Sequence, residues 1–268
     1  MISIYSITNQ KGGVGKTTTS INLAASLAHH GKRVLLIDLD PQGNATTGSG
    51  IDKTGLDVTS GEVLTGEVDI AEATIPKLAA GYDLLPANGD LTAAEVHLVR
   101  TQSGERNLYG ALKKVSDRYD FAIIDCPPAL NMLTVNALSA SENVIVPMQC
   151  EYYALEGLSA LISTIASIGK SINPRLRVEG ILRTMYDPRS SLTNEVSNQL
   201  HEHFGDRVYQ TVIPRNVRLA EAPSYGQPAL LYDRYSKGAV AYLGMAEELL
   251  RRAQRRNGDN QKTPEERL

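Results

Sequence analysis

Short apolar runs recur along the chain at residues 2–7, 34–37, 82–85, 121–124, 144–148, 178–182 and 208–213, each bounded by polar or glycine-bearing turns. Between them the apolar spacing widens to the three-to-four-residue period of amphipathic helices, which predicts helices over 16–30, 93–100, 108–118, 132–139, 157–168, 192–204 and 239–256. The alternation of these short runs with helical stretches implies βαβ units and a mostly parallel sheet covered on both faces. The expected fold is therefore α/β, a mostly parallel twisted sheet of about seven strands with helices on both faces. Two stretches break the pattern. Residues 43–66 are rich in Gly, Thr and Asp and weak in periodic apolar character, which predicts a mobile excursion and a candidate switch region. Residues 257–268 are polar and should form a disordered tail, leaving 1–256 as a single domain.

Composition narrows the class. A chain of 268 residues that is 42% hydrophobic can bury one large core. Its two cysteines, Cys126 and Cys150, give no disulfide framework and fit a reducing cytoplasm. No run approaches the ~18 apolar residues that cross a bilayer, and the first strand begins at once, which is expected to leave no room for a targeting peptide. A net charge of −3 excludes a uniformly cationic protein, so any contact with nucleic acid must be a local patch. With no Trp and two Phe, base stacking is not an obvious mode.

The chemistry concentrates at strand ends. After the first run comes Lys11-Gly12-Gly13-Val14-Gly15-Lys16-Thr17-Thr18, followed by a helix, which is the context a phosphate-binding loop requires. Gly12, Gly13 and Gly15 allow successive amides to converge on phosphate oxygens, and the helix adds its positive N-terminal end. Lys16 would reach the β- and γ-phosphates and the Thr17 hydroxyl would ligate Mg²⁺. The second and fourth runs lead into Asp38-Leu39-Asp40-Pro41-Gln42-Gly43-Asn44 and Asp125-Cys126-Pro127-Pro128. Carboxylates at the carboxyl ends of parallel strands face the crevice that the phosphate loop faces, so Asp125 is the expected partner of the metal.

These motifs, with Met185-Tyr186-Asp187-Pro188-Arg189 and Pro214-Arg215-Asn216-Val217-Arg218-Leu219-Ala220-Glu221-Ala222-Pro223-Ser224, resemble the ParA/Soj family of chromosome- and plasmid-partitioning ATPases over nearly the whole chain. That family lies within the deviant-Walker group of P-loop proteins, with MinD and the nitrogenase iron protein as relatives. The resemblance implies ATP and ADP as ligands with Mg²⁺, and hydrolysis of ATP. It implies that Asp40 orients the attacking water, that Asp38 supports Mg²⁺ through water, and that Lys11 reaches across an ATP-dependent homodimer to the partner's nucleotide, with Gly12 close to the same interface. Pro214, Arg215, Asn216 and Met185 would flank the adenine, while Arg189 and Arg218 would hold DNA without sequence preference. The implied partner is a ParB/Spo0J-like centromere-binding protein, and some members also act on the replication initiator. The implied location is the cytoplasm, on the nucleoid. Because the chain opens at the first strand, the helix-turn-helix extension of larger plasmid members is not expected.

Some residues stay open. Glu151 suits a ribose or partner contact, or a solvated loop position. Arg251, Arg252, Arg255 and Arg256 could extend a basic face or complement the end of the last helix. A MinD-like membrane ATPase is the main alternative, but the segment at 251–258 lacks the bulky apolar face that membrane docking needs. An iron–sulfur role is disfavoured because Cys126 and Cys150 lie outside a glycine-rich setting. A tyrosine-kinase role is disfavoured because no tyrosine follows Tyr242.

Overall fold

The computed structural model describes residues 2–152 and 154–261, the final five as backbone only. Seven strands, β1 Ser3–Ile7, β2 Val34–Asp38, β3 Asp83–Leu85, β4 Phe121–Asp125, β5 Asn143–Gln149, β6 Arg177–Tyr186 and β7 Val208–Pro214, make one sheet in the order β3-β2-β4-β1-β5-β6-β7. Every pairing between them is parallel. Each apolar run serves two cores at once, because successive side chains point to opposite faces. Leu35, Ile37, Ala122 and Ile124 enter one core, whereas Val34, Leu36, Phe121 and Ile123 enter the other.

The helices that cover these faces are α1 Lys16–His29, α2 Asn44–Gly48, α3 Ser60–Thr65, α4 Ile70–Ala73, α5 Leu91–Arg100, α6 Asn107–Lys114, α7 Met132–Ala140, α8 Ala154–Ser171, α9 Ser191–Phe204, α10 Val217–Glu221, α11 Ala229–Tyr232 and α12 Lys237–Gln261. Helices α3 to α7 seal the first face, and α1 with α12 seals the second. A third cluster joins α8 and α9 to β5 and β6. The sheet thus behaves as expected from sequence, and its ligand edge carries the ends of β1, β2 and β4 side by side.

The stretch at 43–66 departs from expectation. It contains two short helices, α2 and α3, that its weak apolar periodicity did not predict, with Ala45, Thr46, Val63 and Leu64 buried. Two local devices explain this. Gly43 takes a left-handed conformation at the start of α2, and Thr59 with Glu62 forms a reciprocal capping box at the start of α3. Helix α12 also extends past residue 256, to Gln261, and residues 262–268 of the expected tail lie outside the described residues. The arginines near its end divide by face. Arg252 binds Glu248 and the Val208 carbonyl, with its guanidinium over the Tyr209 ring, while Arg256 binds Glu179 and the Tyr5 hydroxyl. These two are structural stitches beneath the sheet, which is neither of the roles left open from sequence.

One close approach ties the segment after α2 to the chain after α10. Gly50 and Gly226 both have positive φ, at 87° and 63°, and lie backbone against backbone. A Cβ on Gly226 would sit 2.5 Å from the Gly50 Cα. Gly226→Ala is therefore expected to lower unfolding stability by roughly 1–3 kcal/mol, from the left-handed backbone and the clash together; urea denaturation of the purified variant measures it.

Candidate functional site

The phosphate loop closes the turn between β1 and α1. Gly13 and Gly15 have φ of 74° and 86°, the left-handed region that a side chain resists. Gly12 is not in that region, and a Cβ there would meet nothing within 4 Å in this single chain. Gly15 caps α1 with no side-chain hydrogen bond. The first-turn amides of a 14-residue helix are thus left without a side-chain cap, which makes this helix end receptive to an anion. Lys16 is buried and its ammonium donates to the Lys11 carbonyl at 3.2 Å, so it bridges its own loop from below. Burial lowers its pKa, opposed by the charge of Asp125.

Three carboxylates gather beneath. Asp38 and Asp125 are register partners at the ends of β2 and β4 and both are fully buried. The Thr17 hydroxyl donates to Asp125 Oδ2 at 2.7 Å and the Ser20 hydroxyl to Oδ1 at 2.8 Å. Asp38 accepts from the Asp40 amide at 3.1 Å and from the Thr46 amide and hydroxyl, both at 2.8 Å. Asp40 in turn accepts from the Gln42 amide at 3.0 Å and keeps a little exposure. Burial above all holds the pKa values of Asp125 and Asp38 well above the ordinary carboxylate range, with repulsion from Asp38 adding to it at Asp125 and repulsion from Asp40 adding to it at Asp38. Such a raised pair marks negative charge that lacks a counter-charge.

A divalent cation would supply one. Among the described residues no group of three or more His, Cys, Asp or Glu side chains forms a complete metal cage. Mg²⁺ does not require one, since it commonly takes one or two protein oxygens and completes its shell with water and phosphate. The Thr17 hydroxyl with Asp125, and Asp38 behind, fits that use. The cysteines have no part in it. Cys126 is buried beside Asp125 with its thiol held far toward the neutral form, and burial likewise raises Cys150, to about 11.

A cavity of about 220 Å³ lies beside the loop, lined by Gly15, Thr18 and Thr184 and by all four residues expected at the adenine, Met185, Pro214, Arg215 and Asn216. Tyr242 of α12 also lines it and bonds Thr19 at 3.0 Å. Met185 has φ of 48°, a left-handed conformation uncommon for a bulky residue. Elsewhere the structure separates the predicted residues. Lys11 has its ammonium 2.5 Å from Glu151, just beyond β5, with both side chains about half exposed. Arg189 makes a two-point contact with Asp187, and Arg218 bonds Glu221 at 2.8 Å and Asp233 at 3.4 Å.

Sequence reasoning missed Ser20, Thr46, Thr184 and Gln149. Ser20 could have been found, since it lies one helical turn after Lys16 on the same face. Thr184 sits in a strand where threonine is ordinary, so nothing marked it.

A family model described as an AAA domain matches residues 2–178. The sporulation initiation inhibitor protein Soj of Bacillus subtilis is 51% identical over 93% of this chain and 98% of its own length. The chromosome partitioning protein ParA of Caulobacter vibrioides is 49% identical over 94% of this chain and 95% of its own. The chain belongs to the ParA/Soj family. Among solved structures, that of cobyrinic acid a,c-diamide synthase from Mycobacterium smegmatis, with bound ATP analogue and magnesium, superposes with a TM-score of 0.84 at 38% identity, covering 95% of this chain and 96% of that one. The P-loop NTPase fold expected from sequence is thereby established for this ParA/Soj-family chain, and the loop and acidic strand ends of the family motifs meet at one edge of its sheet.

The buried pair gives a signed pH dependence. Asp125 binds more protons folded than unfolded, so the stability it contributes is complete at acidic pH and is lost as pH rises through its raised folded value. In metal- and nucleotide-free protein, Asp125→Asn is expected to unfold later than wild type at neutral pH and to lose less stability between acidic and neutral pH. Urea titrations of both proteins at the two pH values check this, and a steeper loss in the variant contradicts it.

Proposed function

We propose that this chain is a ParA-type ATPase that dimerises on ATP, binds DNA without sequence preference as the ATP dimer, and lets go when a ParB-like partner stimulates hydrolysis. The output would be DNA segregation on the nucleoid of the cytoplasm, with modulation of replication initiation as a further effect. The observation that carries this reading is the conjunction of an uncapped, glycine-led α1 with a buried acidic pair already engaged by the Thr17 hydroxyl.

The residues divide the work as follows. Loop amides and Lys16 would take the charge of the β- and γ-phosphates, and the cavity at Met185 and Pro214 to Asn216 would hold adenine. Thr17 would hold Mg²⁺, with Asp125 and Asp38 behind it, and the ion would neutralise charge developing on the phosphates. Asp40, at the mouth of the acidic cluster, would orient the attacking water. Lys11 would exchange Glu151 for the partner's nucleotide on dimerisation, supplying positive charge in trans as an arginine finger does. Exposed ion pairs are weak, so this exchange meets little resistance.

The same reasoning applies to DNA. Arg189 and Arg218 sit in exposed pairs that a phosphate can replace, and a dimer doubles their number, so affinity would follow the nucleotide state by avidity. The MinD-like alternative is less well supported. Met245 and Leu249 of α12 are buried against the sheet and Arg252 and Arg256 turn inward, so these apolar and basic side chains are already engaged within the fold rather than offered to a membrane. Among the described residues no helix is long and apolar enough to cross one.

Two tests follow from this division of labour. DNA binding should appear only with ATP, persist in Asp40→Ala, and weaken steeply with added salt; anisotropy of a labelled duplex in apo, ADP and ATP conditions measures it, and equal binding in all three refutes the switch. Lys11→Ala should bind ATP yet stay monomeric and fail to hydrolyse it, and light scattering that finds a normal ATP-dependent dimer would remove the proposed role in trans.

A further inference from the structure

A phosphate loop works only if its amides face the phosphates, and a peptide group is a rigid plane. Anchoring the carbonyl of one residue therefore aims the amide of the next in the opposite direction. In this chain the anchors come from outside the loop's own helix as well as from within it. Lys16 holds the Lys11 carbonyl. The Thr184 hydroxyl donates to the Val14 carbonyl at 2.8 Å, in a buried contact between residues 170 apart in sequence. The Gln149 side-chain amide reaches the Gly13 carbonyl at a longer 3.5 Å and also touches the Met185 sulfur.

Thr184 and Gln149 are register partners on β6 and β5, so the strand pairing itself sets them side by side beneath consecutive loop carbonyls. Thr184 is nearly fully buried, and its methyl lies 3.8 Å from where a Gly15 Cβ would stand. It also lines the 220 Å³ cavity, and the chain turns left-handed immediately after it, at Met185.

We propose that Thr184 is a positioning residue for the phosphate loop: its hydroxyl holds the Val14 carbonyl inward so that the Gly15 amide is presented to the nucleotide's phosphates. This rests on the nucleotide-binding reading above. Thr184 touches no reacting atom and acts through the peptide plane it anchors. A hydroxyl is required for that, whereas packing against Gly15 requires only the methyl.

The substitution that separates these is Thr184→Val, which keeps the shape and removes the donor. Its affinity for ADP and for ATP, each with Mg²⁺, should fall roughly five- to tenfold in calorimetric titration, the order of one hydrogen bond to phosphate weakened when the Gly15 amide is no longer held ready for it. Thr184→Ser keeps the donor and should bind as wild type does. A second readout needs no nucleotide: in protein labelled with 15N-glycine, the Gly15 amide resonance should move farther in Thr184→Val, which loses the hydrogen bond, than in Thr184→Ser, which loses only the methyl. Thr184→Ala, which places no methyl against the carbonyl, carries the same expectations should the valine form not fold. Unchanged affinity in Thr184→Val or Thr184→Ala overturns the proposal, and so does an equal loss in Thr184→Ser, which would make packing the cause. Failure of wild type to bind ATP would instead overturn the nucleotide-binding reading, and the Gly15 resonance would still decide whether Thr184 anchors the loop.

Discussion

Asp38 and Asp125 stand side by side, fully buried, at the ends of neighbouring strands, and much of the ligand edge is arranged around that fact. Two negative charges in a low-dielectric interior repel each other and lack hydration, so each must be held by donors or neutralised. The protein supplies hydroxyls and amides from Thr17, Ser20, Thr46 and Asp40, and it brings Lys16 to the same region. What remains unbalanced is negative charge that a bound Mg²⁺ ion would offset. Strand register thus sets an electrostatic need that the loop above is shaped to meet.

The second organising element is the outer pair of strands, β5 and β6. Their carboxyl ends carry Gln149, Thr184 and Met185 to the flank of the loop, and Glu151 follows just beyond to hold Lys11. One half of the sheet therefore furnishes the acidic floor, and the other steadies the loop and forms the wall of the cavity. Their meeting line is β1, which pairs with β4 on one side and β5 on the other.

Much of this was legible in the amino-acid sequence. Short apolar-rich runs between helical stretches identified the strands because a parallel sheet is buried on both faces, and glycines beside a lysine and threonine identified the loop because few other local arrangements need them together. The two short helices within 43–66 were not legible because their order comes from caps, Gly43 at α2 and the Thr59 and Glu62 box at α3, and not from apolar periodicity. The inward turn of Arg252 and Arg256 was invisible for a different reason. Their partners Glu179, Val208 and Tyr5 lie far away in sequence and meet them only through the tertiary fold. Thr184 belongs to the same class, since a threonine in a strand carries no sign of which carbonyl its hydroxyl will find.

Helix α12 spans the sheet from edge to edge. Tyr242 near its start lines the cavity at the ligand edge, and Arg256, four turns later, is stitched beneath the first residues of β6. The described end of the helix consequently lies at the opposite edge from the acidic cluster. A fluorophore attached near Arg255, whose side chain is exposed there, would report the protein's whereabouts in a living cell from a position remote from the nucleotide cleft.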